Sequence, residues 1–173
     1  RRLSSAASDV YKRQVLIRAL AQTSRAARDW TLNLVGDGPE REALQRQVQQ
    51  AGLQEQVQFL GFRSDPQTFL LQAGVFVLPS RFEGMPNALL EAMAAGLAVV
   101  VTDASPGPLE VVVNGVSGLV VPSDDPFALA EALDRLAADP LLRERLGAAA
   151  RDTLRQLDWP VVGPIWESLV DQP

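Results

Sequence analysis

The sequence predicts an α/β fold: a doubly wound parallel sheet, Rossmann-like, with helices on both faces. Two observations predict it. The strand-like runs are continuously apolar instead of alternating, which marks strands buried on both sides. From Thr31 onward these runs take turns with amphipathic helical stretches, the order that yields parallel crossover units.

The elements follow in chain order. "VLIRALAQ" (15–22) reads as a helix. Before it, residues 1–14 show neither period nor caps, so they are expected to be a suspect or non-native opening segment, with residues 15–173 forming one lobe. "TLNLVG" (31–36) is a strand ending in a glycine turn, and "PEREALQRQVQQAG" (39–52) a helix opened by Pro39 and closed by Gly52. "VQFLG" (57–61) is the next strand, and "DPQTFLLQAG" (65–74) a short helix with Asp65 at its N-cap. "VFVLP" (75–79), the helix "PNALLEAMAAG" (86–96) and the strand "LAVVVT" (97–102) follow, then a late strand "GLVVP" (118–122). Three helices close the chain: 125–138, 139–157 and a third over 159–170, interrupted by Gly163 and Pro164. Trp159 and Trp166 on that third helix are expected to pack on this core, part of whose surface is left apolar for a second lobe. A lone lobe of this kind reads as a fragment.

Composition narrows the function. The 173 residues are 47% apolar and carry a net charge of −5, so no basic field invites nucleic acid or an anionic membrane. There is no cysteine, which excludes disulfides and thiolate metal sites, and no histidine, which excludes a Ser-His-Asp triad. No apolar run approaches the ~20 residues that span a bilayer, and no signal peptide is evident. The expected location is cytoplasmic, membrane-peripheral in a full-length protein.

In a doubly wound sheet the ligand lies beyond the carboxyl ends of the strands. The informative loops are therefore "GDGP", "GFRSDP", "PSRFEGMP" and "TDASPGPLE". "GDGPER" starts like a dinucleotide fingerprint at Gly36 and Gly38, but Arg41 occupies the third glycine position and breaks it. Taken alone, the two glycines make a tight turn. "RFEGMPNALLE" carries more. Pro86 suits the first helical position, which leaves Glu83 in the loop before the helix. Gly84 lets the backbone approach a ligand. The amides around Met85, Asn87 and Ala88 would point from the helix N-terminus, where they favour an anion such as a diphosphate. Glu91 sits among Leu89, Leu90, Ala92 and Met93 with almost no polar face. A ribose diol, with two O–H donors, would satisfy its carboxylate. Reaching solvent or pairing with an arginine would do so as well.

These residues resemble a family. "EGMPNALLE" matches the Glu-x7-Glu signature of the family-4 retaining glycosyltransferases. "LVGDGPEREALQ", "VQFLGF", "VFVLPSRFEGMPNALLEAMAAGLAVVVTD", "GPLEVVVNGVSGLVVPSDDPFALAEAL" and "LAADPLLRERLGAAA" follow the family's nucleotide-binding lobe in order. The resemblance implies the C-terminal lobe of a GT-B enzyme, two Rossmann-like lobes with a nucleotide-sugar donor, by first expectation a UDP-sugar, in the cleft between them. The acceptor, a glycan or lipid-linked sugar, would bind the missing lobe. By the same resemblance Glu83 would hold donor-sugar hydroxyls and align the reacting centre, and Glu91 would hold the ribose. Gly84, Met85, Pro86 and Asn87 would border sugar and phosphate. Phe62 and Arg63 would border the base, although Phe62 also reads as a core residue at a strand end. Gly36 and Gly38 would line the cleft floor. Arg81 would reach a phosphate, or simply be an exposed loop arginine.

The acceptor hydroxyl would attack on the face the diphosphate leaves, with that diphosphate as base. No cofactor and no metal are expected. One departure stands out. The family neutralises its diphosphate with an Arg and a Lys ahead of the "LIRAL"-type helix. The only lysine here, Lys12, is out of register, and Arg2 in "RRL" matches the family's "GRL" only in part. The chain is thus expected to be a folded donor lobe without appreciable turnover. Two other readings are a UDP-sugar 2-epimerase-like lobe, against which the absence of histidine argues, and a non-catalytic nucleotide-binding module.

Overall fold

The computed structural model describes residues 2–6, 10–157 and 160, and leaves the side chains of residues 2–6, 10–12 and 25 undescribed. Strands β1 (Arg2–Ala6), β2 (Thr31–Val35), β3 (Val57–Gly61), β4 (Val75–Leu78), β5 (Ala98–Thr102) and β6 (Leu119–Val121) form one sheet in the order β3-β2-β1-β4-β5-β6. Every neighbouring pair is parallel. The helices are α1 (Val10–Gln22), α2 (Arg25–Arg28), α3 (Arg41–Gln50), α4 (Pro66–Gln72), α5 (Asn87–Ala94), α6 (Pro106–Val111), α7 (Pro126–Ala138) and α8 (Pro140–Arg155).

The two-residue period of the strands divides the core. Val75 and Val77 of β4 face one side with Leu16, Leu44, Leu133 and Leu136. Phe76 and Leu78 face the other with Leu89, Met93 and Val111. In β5, Ala98 and Val100 join the first cluster while Val99 and Val101 join the second. Both faces are covered, so alternation cannot be seen in these strands, and every residue but the terminal Thr102 is apolar. The last two described helices start where the sequence places them: Asp125 accepts from the amides of Phe127 and Ala128, and Asp139 from that of Leu142, each followed by proline. Gly52, at φ +69°, ends α3 as expected.

Several details differ from the sequence reading. Residues 2–6 form β1 at the centre of the sheet, and α1 begins at Val10 rather than Val15. The strand pairs with β2 along its whole length and with β4 at Leu3 and Ser4, so ladder bonds on both sides hold a sequence with little strand preference of its own. Pro39 lies in a turn ahead of α3, which starts at Arg41. Asp65 occupies the N-cap of α4 without a side-chain capping bond. Pro86 is the N-cap of α5 and Asn87 its first residue, one position later than expected. Residues 106–110, read as part of the loop "TDASPGPLE", belong to α6. Trp159, Trp166 and the rest of the expected last helix lie outside the described residues, apart from Pro160.

The chain builds β1, β2 and β3 outward in one direction, then crosses back so that β4 lies on the other side of β1. That reversal between β1 and β4 is the topological switch point, where open sheets of this kind part their loops and leave a crevice. The loop leaving β4 is the one that holds Glu83.

Candidate functional site

The site is built on hydroxyls at the ends of buried strands. Beyond Leu78 the chain turns at Pro79 and places Ser80 in the interior, 2% exposed. Thr102, the last residue of β5, donates its hydroxyl to the Ser80 carbonyl. The Ser80 hydroxyl donates to Glu83 Oε1 at 2.7 Å. Ser105, also buried, holds the main chain of the same glutamate. Its Oγ accepts from the Glu83 amide at 2.8 Å and donates to the Glu83 carbonyl at 2.7 Å. Ser105 is the N-cap of α6 yet makes no side-chain capping bond, so its hydroxyl serves the loop and not its own helix.

Gly107 completes the clamp. A Cβ there would lie 1.7 Å from the carbonyl oxygen of Gly84, so α6 presses directly on the loop that carries Glu83. Only glycine admits that approach. Glu83 is left half-buried, its backbone fixed on both sides and one carboxylate oxygen fixed by Ser80.

The start of α5 supplies donors. The Pro86 carbonyl accepts from the amides of Leu89 and Leu90, at 3.0 and 3.3 Å. Among the described residues nothing accepts from the amides of Asn87 and Ala88, which are the orphan groups that make a helix N-terminus favour anions. Glu91, half-buried one turn further on, borders a cavity of about 240 Å³ between α4 and α5, lined also by Gln67, Leu70, Leu71 and Ala94. No described arginine pairs with its carboxylate. Of the alternatives open at the sequence level, solvent or a ligand remains.

The loops after β2 and β3 meet beside this crevice. Gly36, at φ +104°, donates its amide to the Gly61 carbonyl at 2.8 Å. Arg13 reaches the Val35 carbonyl at 3.4 Å and lies against Gly36. Burial lowers the pKa of Arg13 and the charge of Asp37 works against that shift. Gly38 stands in open space. Phe62 is 82% exposed, so its reading as a core phenylalanine is overturned. Arg63 stacks over the Phe69 ring at 5.7 Å. Arg81 donates from Nε to both carboxylate oxygens of Asp124 at 2.8 Å and is tied to the loop before α7. Asp124 stands at φ +60°.

Glu83, Gly84, Met85, Pro86 and Asn87 thus share the loop at the switch point, with Glu91 on the helix that follows. Gly36, Gly38, Phe62 and Arg63 occupy the two neighbouring loops. The side chains of Arg2 and Lys12 lie outside the described residues. Ser80, Ser105, Gly107, Asp124 and exposed Phe82 were not singled out from the sequence. A fixed carboxylate beside unused helix amides, open to solvent at the carboxyl end of a parallel sheet, suits a ligand bearing both hydroxyls and an anionic group.

Residues 5–153 match the model of the family described as "Glycosyl transferases group 1". The chain belongs to this family. Over 81% of its length it is 38% identical to the lipopolysaccharide core biosynthesis glycosyltransferase LpsD of Rhizobium meliloti, of which it covers 39%. Over 88% of its length it is 35% identical to an exopolysaccharide phosphotransferase of Streptomyces coelicolor, covering 16% of that protein. The chain therefore spans well under half the length of these curated relatives. HepE of Anabaena, solved with UDP and glucose, superposes with a TM-score of 0.86 at 25% identity, over 99% of this chain and 48% of that one. The C-terminal domain of the group 1 glycosyl transferase LpcC from Francisella tularensis superposes with a TM-score of 0.80 at 28% identity, with 84% of that domain covered. The fold is that of the Rossmann-like C-terminal lobe of a GT-B glycosyltransferase.

Proposed function

We propose that this glycosyl transferases group 1 chain is the donor-binding lobe of a retaining, nucleotide-sugar-dependent glycosyltransferase, with a UDP-sugar as donor and a glycan or lipid-linked acceptor held by a second lobe. The observation that carries the reading is the pairing of clamped Glu83 with the unused amides of Asn87 and Ala88 at the switch point. In this reading the amides meet the diphosphate, Glu83 accepts from hydroxyls of the sugar, and Glu91 accepts from the ribose diol. Exposed Phe62 and the Arg63 backbone border the base. Positive charge comes from backbone amides and basic side chains, so the reading calls for no metal and no other cofactor. The departing diphosphate takes the acceptor proton. Transfer takes place on the cytoplasmic side, and this chain alone binds donor without appreciable turnover. The bound UDP, glucose and UDP-glucose of the HepE structures support the choice of donor.

Thermal unfolding with UDP, GDP, ADP and their sugar conjugates tests it. A ligand at a hundredfold excess over its Kd adds about 2.7 kcal/mol, which is roughly 5–10 °C in Tm for a chain of this size. The expected result is such a rise with UDP or a UDP-sugar, lost in Glu91→Ala. A rise that persists in Glu91→Ala would remove the ribose role from Glu91, and no rise with any nucleotide would count against the donor-lobe reading itself.

A further inference from the structure

Glu83 sits in a loop, where a side chain with three rotatable bonds ordinarily samples many rotamers. Here it does not start from that freedom. Ser80, at 2% exposure, offers one hydroxyl, and that hydroxyl goes to Glu83 Oε1 at 2.7 Å instead of to a backbone group. Ser80 is itself anchored, because Thr102 at the end of β5 donates to its carbonyl. The buried sheet therefore fixes the serine, and the serine fixes the carboxylate. Ser105 fixes the Glu83 main chain independently, through its amide and carbonyl.

From this geometry we infer that Ser80 is a positioning residue: it holds one oxygen of the Glu83 carboxylate so that the donor's sugar meets it in a single orientation. The inference rests on the donor-lobe reading and deepens it. A carboxylate with one oxygen already fixed loses less freedom when a hydroxyl binds, and a bond to a charged acceptor is the kind that gains most from alignment. Ser80 acts on the sugar end of the donor alone, since its only described side-chain partner is Glu83. The amides of Asn87 and Ala88 and the Glu91 carboxylate do not depend on it.

Isothermal titration of the wild-type chain and of Ser80→Ala with UDP and with UDP-glucose separates the possibilities. Ser80→Ala should weaken UDP-glucose about tenfold, the size expected when a charge-assisted bond is no longer pre-aligned, while UDP stays within about twofold. Ser80→Cys, which fills the space of the hydroxyl with a somewhat larger sulfur and supplies only a weak donor, should show the same split, and it covers the case in which the alanine variant does not fold. Equal weakening of both probes, or no weakening of either, would overturn the positioning role. A wild-type chain that binds neither probe would overturn the donor-lobe reading and the inference with it.

Discussion

Replacing Gly107 with alanine is the most demanding perturbation the site offers. The new Cβ would stand 1.7 Å from the Gly84 carbonyl oxygen and 2.6 Å from its carbonyl carbon. A carbon and a carbonyl oxygen rest at about 3.3 Å or more, so one side must retreat by roughly 1.6 Å. Neither side is a flexible side-chain tip. On one side is the start of α6, and on the other the main chain next to Glu83. Overpacking of this kind costs about 1–3 kcal/mol. The retreat also separates Ser105 from Glu83, and two hydrogen bonds add about 1 kcal/mol each. The expected loss is about 3–5 kcal/mol, read as a lower urea midpoint with an unchanged slope. Gly38→Ala is the control, because its Cβ would meet nothing within 4 Å and its φ is not in the left-handed region. Removing a glycine there should be neutral or stabilise by up to about 1 kcal/mol. If Gly107→Ala proved as stable as Gly38→Ala, the contact between α6 and the Glu83 loop would not exist as described.

Other outcomes follow from the same contacts. Ser105→Ala removes two hydrogen bonds to the Glu83 main chain without disturbing a helix cap, and urea unfolding should show a loss of about 1–3 kcal/mol. Arg81→Ala breaks a pair whose side chains are 46% and 37% exposed, so its stability should fall by no more than about 1 kcal/mol. That small loss should shrink further when unfolding is repeated at 1 M salt.

Most of the sheet could be read from the sequence because β2 through β6 are largely apolar runs bounded by turn residues, interrupted only at Asn33, Gln58 and the terminal Thr31 and Thr102, and β4 and β5 are buried at every position. The opening strand was not legible. "RLSSA" has no β-branched or aromatic residue, and its strand character comes from neighbours brought up from residues 31–35 and 75–76. The segment "PGPLE" reads as loop because of its prolines, although one of them serves as a helix start and its glycine as a packing point. Glu91 stood out as a carboxylate on an apolar helix, and Glu83 as one in the loop just before that helix. Ser80 and Ser105 did not, since a serine acquires meaning only when it is known what lies beside it. Ser105 meets Glu83 from 22 positions away. Phe62 was misjudged for a related reason: a phenylalanine after a strand is a core residue only if another element covers it, and the 62–65 loop faces solvent.

The most direct test of the account is a crystal structure of this chain grown with UDP-glucose. It should show diphosphate oxygens on the amides of Asn87 and Ala88, the ribose diol on Glu91 and the sugar on Glu83. A nucleotide bound away from the switch point, for instance in the groove of about 590 Å³ between α1 and α3 lined by Gln14, Arg18, Arg46 and Gln50, would contradict it.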